Sequence, residues 1–520
     1  MKILKLFLFY ILFLTTTSFS QTINFAWLTD LHIGATTSET DLAAVVNDIN
    51  LKQQFEFVII SGDITEKGRN SELIKTKEIL DRLKIPYYIV PGNHDSKWSE
   101  SGTTKFSELW KDDKFVFEKN NFKFIGLNSG ITWRGGGGHI APEDLLWLDS
   151  IVTHTPKNKK IIYVQHHQLH SETDNWFKVT NILRKAQIEF VLVGHGHANK
   201  QFSFNGIPGI MGRSTLSKEK FWGYNFVQLR NDSAFFTEVN PENKLGSWLK
   251  ISLTDTLLIP KVDSLQFINK KFDVHFLKEH KTTLLHSPIT YDNKIFVTTK
   301  RGFIYCYDLS GNLLWRHHSE STIISRPNVT SGLLIYGTVE GELISLDIAD
   351  GSIEQSIGIG EPITSQISFA PIRFRGEQTT AVIFGTASGK VYCYDIFYFF
   401  QIWENNSATA MIESRPIIVK NRVIFGSWDG FLYCLSIEDG KLNWRWSENR
   451  NFYFSPAASI PVFDEDNIYV PTPDKFVSAI DIFLGKTVWR KDDFSAWESI
   501  GISQDKKNIF IKSHENNFFI

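Results

Sequence analysis

The chain has 520 residues, enough for two to four domains with full cores. A formal net charge of −2 provides no general attraction to nucleic acid or anionic lipid, so no nucleic-acid partner is expected. With 42 Phe and 15 Trp the composition favours sheets. After the N-terminal stretch, no apolar run reaches the roughly 18 residues of a membrane span.

Residues 1–20 read as a secretory signal peptide. Lys2 and Lys5 supply a positive start, residues 6–14 a short apolar core, and residues 15–20 a small polar stretch with cleavage expected after Ser20. No Cys stands near that point, which argues against a lipoprotein anchor. The expected location is outside the cytoplasm, periplasmic or secreted. Export permits disulfides, yet Cys306, Cys393 and Cys434 hold equivalent places in separate repeats. That puts them beyond the Cα separation of about 7 Å that a bridge requires, so three buried thiols are expected.

Along the first half, five apolar runs each end in residues of metal-ligand type. Phe25-Ala26-Trp27-Leu28 runs into Asp30 and His32, and Phe57-Val58-Ile59-Ile60 into Gly62-Asp63. Residues 87–90 run into Pro91-Gly92-Asn93-His94-Asp95. Ile161-Ile162-Tyr163-Val164 leads to His166-His167, and Phe190-Val191-Leu192-Val193 to Gly194-His195-Gly196-His197. Each run reads as a buried strand, and ligands of α/β sheets bind beyond such strand ends. Helical spacing is expected over 41–54, 71–83, 176–186 and from Pro142, whose first turn carries Glu143 and Asp144. Gly194 and Gly196 are expected to keep the backbone clear beside the cluster.

This ordered set, Asp-x-His, Gly-Asp, Gly-Asn-His-Asp, His and Gly-His-x-His, resembles the calcineurin-like metallophosphoesterase superfamily over residues 23–229. The resemblance implies an α/β four-layer sandwich, two mixed sheets flanked by helices, with residues 201–204, 225–229 and 234–239 supplying the second sheet. It implies two divalent metal ions, with Asp30, His32, Asp63 and His197 on the first, Asp63, Asn93, His166 and His195 on the second, and Asp63 as the bridge. Such a mixed shell suits Mn, Fe or Zn better than Ca. It also implies that His94 is no ligand but a general acid or charge stabiliser, with Asp95 orienting its ring.

Weaker candidates bear on substrate. Many relatives carry Pro soon after the strand-end His, whereas here the stretch reads His166-His167-Gln168-Leu169-His170. His167 and His170 are read as rim residues, with His170 a candidate substrate contact. Glu66 stands where purple acid phosphatases carry a ligating Tyr, and together with His32 this resembles the non-purple branch, which includes many phosphodiesterases. The loop 128–139 lacks the Gly-Lys-Ser/Thr ending of a P-loop. It is read as a flap beside the metals, with Arg134 and His139 as candidate leaving-group contacts.

From about residue 285 the texture changes to short strands with a period near forty, Gly-centred turns and closing Trp residues at 315, 403, 444 and 489. The pattern resembles pyrroloquinoline-quinone-type (PQQ-like) β-propeller repeats, with the Trp residues packing between blades. Five blades and part of another are visible, and the sequence is expected to stop in mid-blade as a fragment, unless residues 272–277 complete the ring. The division is 1–20 signal peptide, 21–240 metallophosphoesterase domain, 241–284 connecting region and 285–520 propeller. No adjacent Cys pair or calcium-ligand set is present, so PQQ binding is not expected.

The leading expectation is an exported phosphoesterase that prefers phosphodiesters to phosphomonoesters. In it a hydroxide bridging the metals attacks phosphorus, and the propeller positions substrate or docks a protein or envelope partner. The alternative is a propeller-led surface-binding or scaffold protein whose metal domain is vestigial.

Overall fold

The computed structural model describes residues 22–133, 135–217, 220–242, 246–253, 257–263, 278–513 and 518–520. The expected signal peptide, Arg134 and the strand considered at 272–277 lie outside them. In chain order the first half runs β1 (Ile23–Leu28), α1 (Ser38–Lys52), β2 (Phe57–Ser61), α2 (Asn70–Leu80), β3 (Tyr87–Val90) and α3 (Asn93–Lys97). It continues with α4 (Thr104–Trp110), β4 (Phe115–Lys119), β5 (Phe122–Gly126), α5 (Pro142–Thr153), β6 (Lys160–Val164), α6 (Trp176–Leu183) and β7 (Gln187–Val193). Five strands follow: β8 (Lys200–Phe204), β9 (Ile207–Met211), β10 (Tyr224–Arg230), β11 (Ser233–Val239) and β12 (Ser247–Ser252).

These strands form two six-stranded sheets, ordered β12-β11-β10-β1-β2-β3 and β4-β5-β6-β7-β9-β8. The period-2 alternation of each strand explains how they stack. Phe25, Trp27, Phe57, Ile59, Ile162 and Val164 meet in one core between the sheets. Their neighbours Ala26, Leu28, Val58 and Ile60 face α1 and α2, while Ile161 and Tyr163 face α5 and α6. The inner core is aromatic, with Phe57 at 5.1 Å from Phe25 and 5.2 Å from Phe124. This is the four-layer sandwich the pattern implied.

Two details differ from expectation. Only β8 joins the second sheet; β10 and β11 return to the first, β10 pairing antiparallel to β1. Val227, Leu229, Ala234 and Phe236 serve the inner core, so their alternation marks strands without naming the edge they join. β12, within the region read as connecting, extends the same sheet through β11. Helices α2 and α6 also end three residues early, because Leu83 N–H and Ala186 N–H bond back to the carbonyls of Leu80 and Leu183 in tight final turns.

Among the described residues, six sheets follow, five of four antiparallel strands and one of three. The blades start at Ile289–Tyr291, Asn328–Thr330, Ser368–Phe374, Ile417–Val419, Val462–Phe463 and Ala496–Ile502. Each four-stranded blade carries a register shift at one equivalent place on its third strand, Cys306/Tyr307 in the first and Cys393/Tyr394 in the third. All three cysteines are free and buried. The closing Trp residues do join blades: the Nε1–H of Trp315, Trp403 and Trp444 donates to the carbonyl of Ile348, Ile437 and Ile482 of the next blade at 3.0, 2.8 and 3.0 Å. In the second blade Gln355 holds the equivalent register and donates to the Phe397 carbonyl of the third.

The first domain rests on one rim of this propeller. Trp98 packs with Met411, Trp428 and Ala457. Lys97 Nζ lies 3.4 Å from Glu498 Oε1 and within 6 Å of the Trp98, Trp428 and Trp497 rings. Half-buried Lys300 donates to Thr103 Oγ1 at 2.7 Å and Thr132 Oγ1 at 3.3 Å. The 128–139 loop, read as a flap, is held here too: Trp133 joins the same aromatic cluster and donates to the Ser99 carbonyl at 3.2 Å.

Two stability predictions follow from this packing. Trp403→Ala removes an inter-blade bond and opens a void against Gly440; the expected loss, read by denaturant unfolding, is about 3–5 kcal/mol. Half-buried Glu413 lines a cavity of about 180 Å³. Burial, reinforced by Glu498, pushes its carboxyl well above the usual range despite the Trp428 Nε1–H at 3.0 Å. The folded state therefore keeps this proton after the unfolded chain has released it, so Glu413 destabilises increasingly as pH rises above the ordinary 4.5. Glu413→Gln should raise the Tm at pH 8 and leave it nearly unchanged at pH 4.

Candidate metal centre

The strands β1, β2 and β3 run parallel in one sheet, and β5, β6 and β7 run parallel in the other. Their tips bring the expected ligands together across the seam. Asp30, His32, Asp63 and His197 form one group whose ligand atoms lie within 4.8 Å of one another. Asp63, His166 and His195 form a second. Asp63 belongs to both.

Backbone geometry marks the same residues. Asp30, His32, Asp63, His195 and His197 all have left-handed φ, between 47° and 71°. Each costs about 1–2 kcal/mol for an L-residue, and such strain concentrates at functional sites. The glycines of the motifs fit their neighbours: a Cβ on Gly62 (φ 98°) would strike the His166 ring, and one on Gly92 would strike the Asp63 carboxylate. One on Gly194 would strike Thr29 and Asp30, whereas one on Gly196 would meet only Met211 and not the cluster.

Hydrogen bonds and ion-pair contacts orient the rings about the centre. His166 Nδ1–H donates to the Ser61 carbonyl at 2.8 Å. Its buried Nε2 makes no hydrogen bond and lies 3.1 Å from Asp63 Oδ2. His32 Nδ1 lies 2.9 Å from Glu66 Oε2, which leaves Nε2 facing His197 Nε2 at 3.2 Å and the carboxylates of Asp30 and Asp63 at 3.9 Å each. His197 Nε2 lies 3.2 Å from Asp30 Oδ1, and Asn93 Oδ1 lies 2.9 Å from His195 Nδ1. Lone pairs and carboxylates converging in this way repel one another unless a cation stands between them. The residues therefore fit a divalent metal centre.

The titration behaviour agrees. Burial disfavours ionisation of Asp63, yet the His166, His94 and His32 rings hold its carboxyl well below the usual range. Burial likewise opposes a charge on His166, but Asp63 and Asp30 push it up to about 9. Glu66, whose burial alone would raise it, is held at about 2 chiefly by His32 and Tyr453.

His94 sits in α3, outside the two groups that share Asp63 but within a third, with His32 and Glu66, whose ligand atoms also lie within 4.8 Å of one another. Its Nδ1–H donates to the Glu66 carbonyl at 2.7 Å, and its backbone N–H to Asp63 Oδ1 at 2.9 Å. Asp95 does not orient this ring. Its buried carboxylate instead accepts the N–H groups of Ile64, Thr65 and Gly92 and the Thr65 hydroxyl, tying the β3 loop to the β2 loop. An acidic side chain so close to a helix start satisfies backbone donors before it reaches a neighbouring ring.

The weaker candidates lie apart from these groups. His167 is buried rather than on the rim. Burial, with His166 and His195, keeps it well below its ordinary value, and it pins the loop through Ser129 Oγ at 2.9 Å and the Gly136 carbonyl at 3.0 Å. His139 pairs with Asp174 Oδ1 at 2.6 Å. His170 packs on Phe202 and Phe204 of β8. A cavity of about 540 Å³ opens beside His197, lined by Asn199, Arg213, Lys220 and Phe221. Sequence reasoning gave no role to Glu66, which braces His32, or to Thr29, whose hydroxyl donates to Asp30 Oδ2 at 2.8 Å. Glu66 was findable from its place three residues after Asp63, since that spacing returns a side chain to the same strand tip.

Residues 23–199 match the family model of calcineurin-like phosphoesterases, and residues 277–427 and 369–492 match that described as outer membrane protein assembly factor BamB. The chain thus joins a calcineurin-like phosphoesterase domain to BamB-type, PQQ-like repeats. It is 35% identical over 122 residues to a probable glycerophosphodiester phosphodiesterase GpdQ of Arcobacter nitrofigilis, covering 22% of this chain and 44% of that one. It is 27% identical over 194 residues to a 3',5'-cyclic-nucleotide phosphodiesterase of Nostoc sp., covering 34% and 71%. To BamB of Yersinia pestis it is 23% identical over 238 residues, covering 42% and 56%. It therefore spans about half the length of the first and third of these relatives.

Metal should stabilise this fold by mass action. Adding Mn²⁺ or Zn²⁺ to stripped protein at 100 times its Kd is expected to add about 2.7 kcal/mol, read as a rise in Tm. Gly62→Ala, which drives a methyl group into His166, should lose most of that rise.

Proposed function

We propose that the protein is an exported phosphoesterase that uses two divalent cations, Mn, Fe or Zn, and prefers phosphodiesters. The observation that carries this reading is the convergence of imidazoles from both sheets on the single carboxylate of Asp63. Asp30, His32, Asp63 and His197 would hold one cation, and Asp63, Asn93, His166 and His195 the other. Bound there, the two ions would supply charge neutralisation for the phosphoryl oxygens and an acidified water.

The chain's own residues do the rest. Asp63 spans the two cation sites and, through the His94 N–H, holds α3 against them. His94 has Nδ1 committed to the Glu66 carbonyl, and no hydrogen bond among the described residues engages its Nε2. As the imidazolium it gives the leaving oxygen a proton from that atom. The names of two relatives, both phosphodiesterases, support the diester preference. The leader-like residues 1–20 support export, and the BamB-type repeats support a docking role for the propeller.

Stripped protein refilled with manganese should cleave bis(p-nitrophenyl) phosphate faster than p-nitrophenyl phosphate. Asp63→Ala should abolish turnover. His94→Ala should lower kcat by 10²–10⁴-fold while metal stays bound. Turnover of neither ester by folded, metal-loaded protein would favour the scaffold alternative.

A further inference from the structure

The propeller reaches the metal centre itself. Between its fourth and fifth blades, residues Phe452–Phe454 form a single helical turn. Asn451 caps it, its side-chain oxygen accepting the Tyr453 N–H at 3.0 Å. Phe452 packs on Trp98 and on Trp428, each with ring centroids 5.3 Å apart, so the turn is clamped from both domains. Tyr453 in turn lies 5.2 Å from the Trp98 ring and 6.1 Å from the His94 ring.

The clamped turn presents the Tyr453 hydroxyl to Glu66, donating to Oε1. The other carboxylate oxygen, Oε2, lies 2.9 Å from His32 Nδ1. The Glu66 carbonyl receives His94 Nδ1–H at 2.7 Å. Glu66 thus braces one cation-site imidazole with its side chain and the proton-donating imidazole with its main chain. Among the described residues no Lys or Arg pairs with it, so His32 and Tyr453 are what hold its carboxylate in place. A glutamate left with one partner regains part of its rotamer freedom.

The geometry points to Tyr453 as a positioning residue of the metal centre: a propeller hydroxyl that fixes Glu66 and, through the ion pair at 2.9 Å, the ring orientation of His32. The cation site of Asp30, His32, Asp63 and His197 is then complete only with the propeller in place. This inference rests on the two-cation reading above.

The test is Mn²⁺ binding to stripped, full-length protein, followed by calorimetry. Tyr453→Phe keeps the ring and its packing and removes only the hydroxyl. It should weaken one of the two binding steps about tenfold, as losing such an outer partner does. Glu66→Gln should weaken the same step, and the double variant should bind no worse than Glu66→Gln alone. Turnover by Tyr453→Phe should fall at limiting Mn²⁺ and recover at saturation. Wild-type affinity in Tyr453→Phe overturns the inference, as do losses that multiply in the double variant. So does Phe452→Leu matching Tyr453→Phe, because that would show docking to matter and not the hydroxyl. A wild-type protein that takes up Mn²⁺ yet cleaves no ester sinks the proposed function and leaves the Tyr453 comparison intact.

Discussion

One carboxylate holds the arrangement together. Asp63 leaves the tip of β2 in a left-handed conformation and stands beside His166 from the other sheet, His32 from its own, and the first turn of α3. Neither sheet alone offers a complete cation site. The seam depends on how far apart the sheets stand, and that distance is set by the aromatic core of Phe25, Phe57 and Phe124 beneath it. Burying Asp30, Asp63 and Asp95 within one region is unfavourable by itself. The imidazoles and the backbone donors around Asp95 offset it in part, and a cation bound among them would offset more.

The strand tips were legible in the sequence because their chemistry is local. Each apolar run ends where its ligand begins, so strand and ligand are read in one pass. The repeats were legible for the same reason, since closing Trp residues recur at a constant place in four of the blades. Pairing is not local. The alternation of β10 and β11 identified strands, but the edge they join is decided by the free side of β1, some 200 residues earlier in the chain. The role of Asp95 was misread because the adjacent ring of His94 was the obvious partner, whereas four donors from the β2 and β3 loops claim its oxygens first. His167 looked like a rim residue because its neighbour is a ligand; its own ring turns inward to Ser129.

Other features had no sequence signal at all. Gln355 stands where sister blades carry Trp, and its amide makes the same inter-blade contact with far less surface. Tyr453 lies 387 residues from Glu66 in an irregular turn, and no periodicity announces it. Both are tertiary inventions, visible only once the blades and the domain face are placed.

The two sides of the metal centre are consequently unlike. Beside His197 it opens to a cavity of about 540 Å³ lined by polar and apolar side chains of its own domain. Beside His94 it meets an aromatic wall in which Trp98 is its own and Trp428, Phe452 and Tyr453 belong to the propeller. Next to that wall, a cavity of about 320 Å³ lies between the domains, with Lys67 and Arg69 on one side and Ser388, Thr409 and Met411 on the other. A propeller that served only to hold the enzyme near a partner could sit anywhere on the domain surface. Here its rim is built around the residues that flank His94, so docking and active-site geometry are one packing problem.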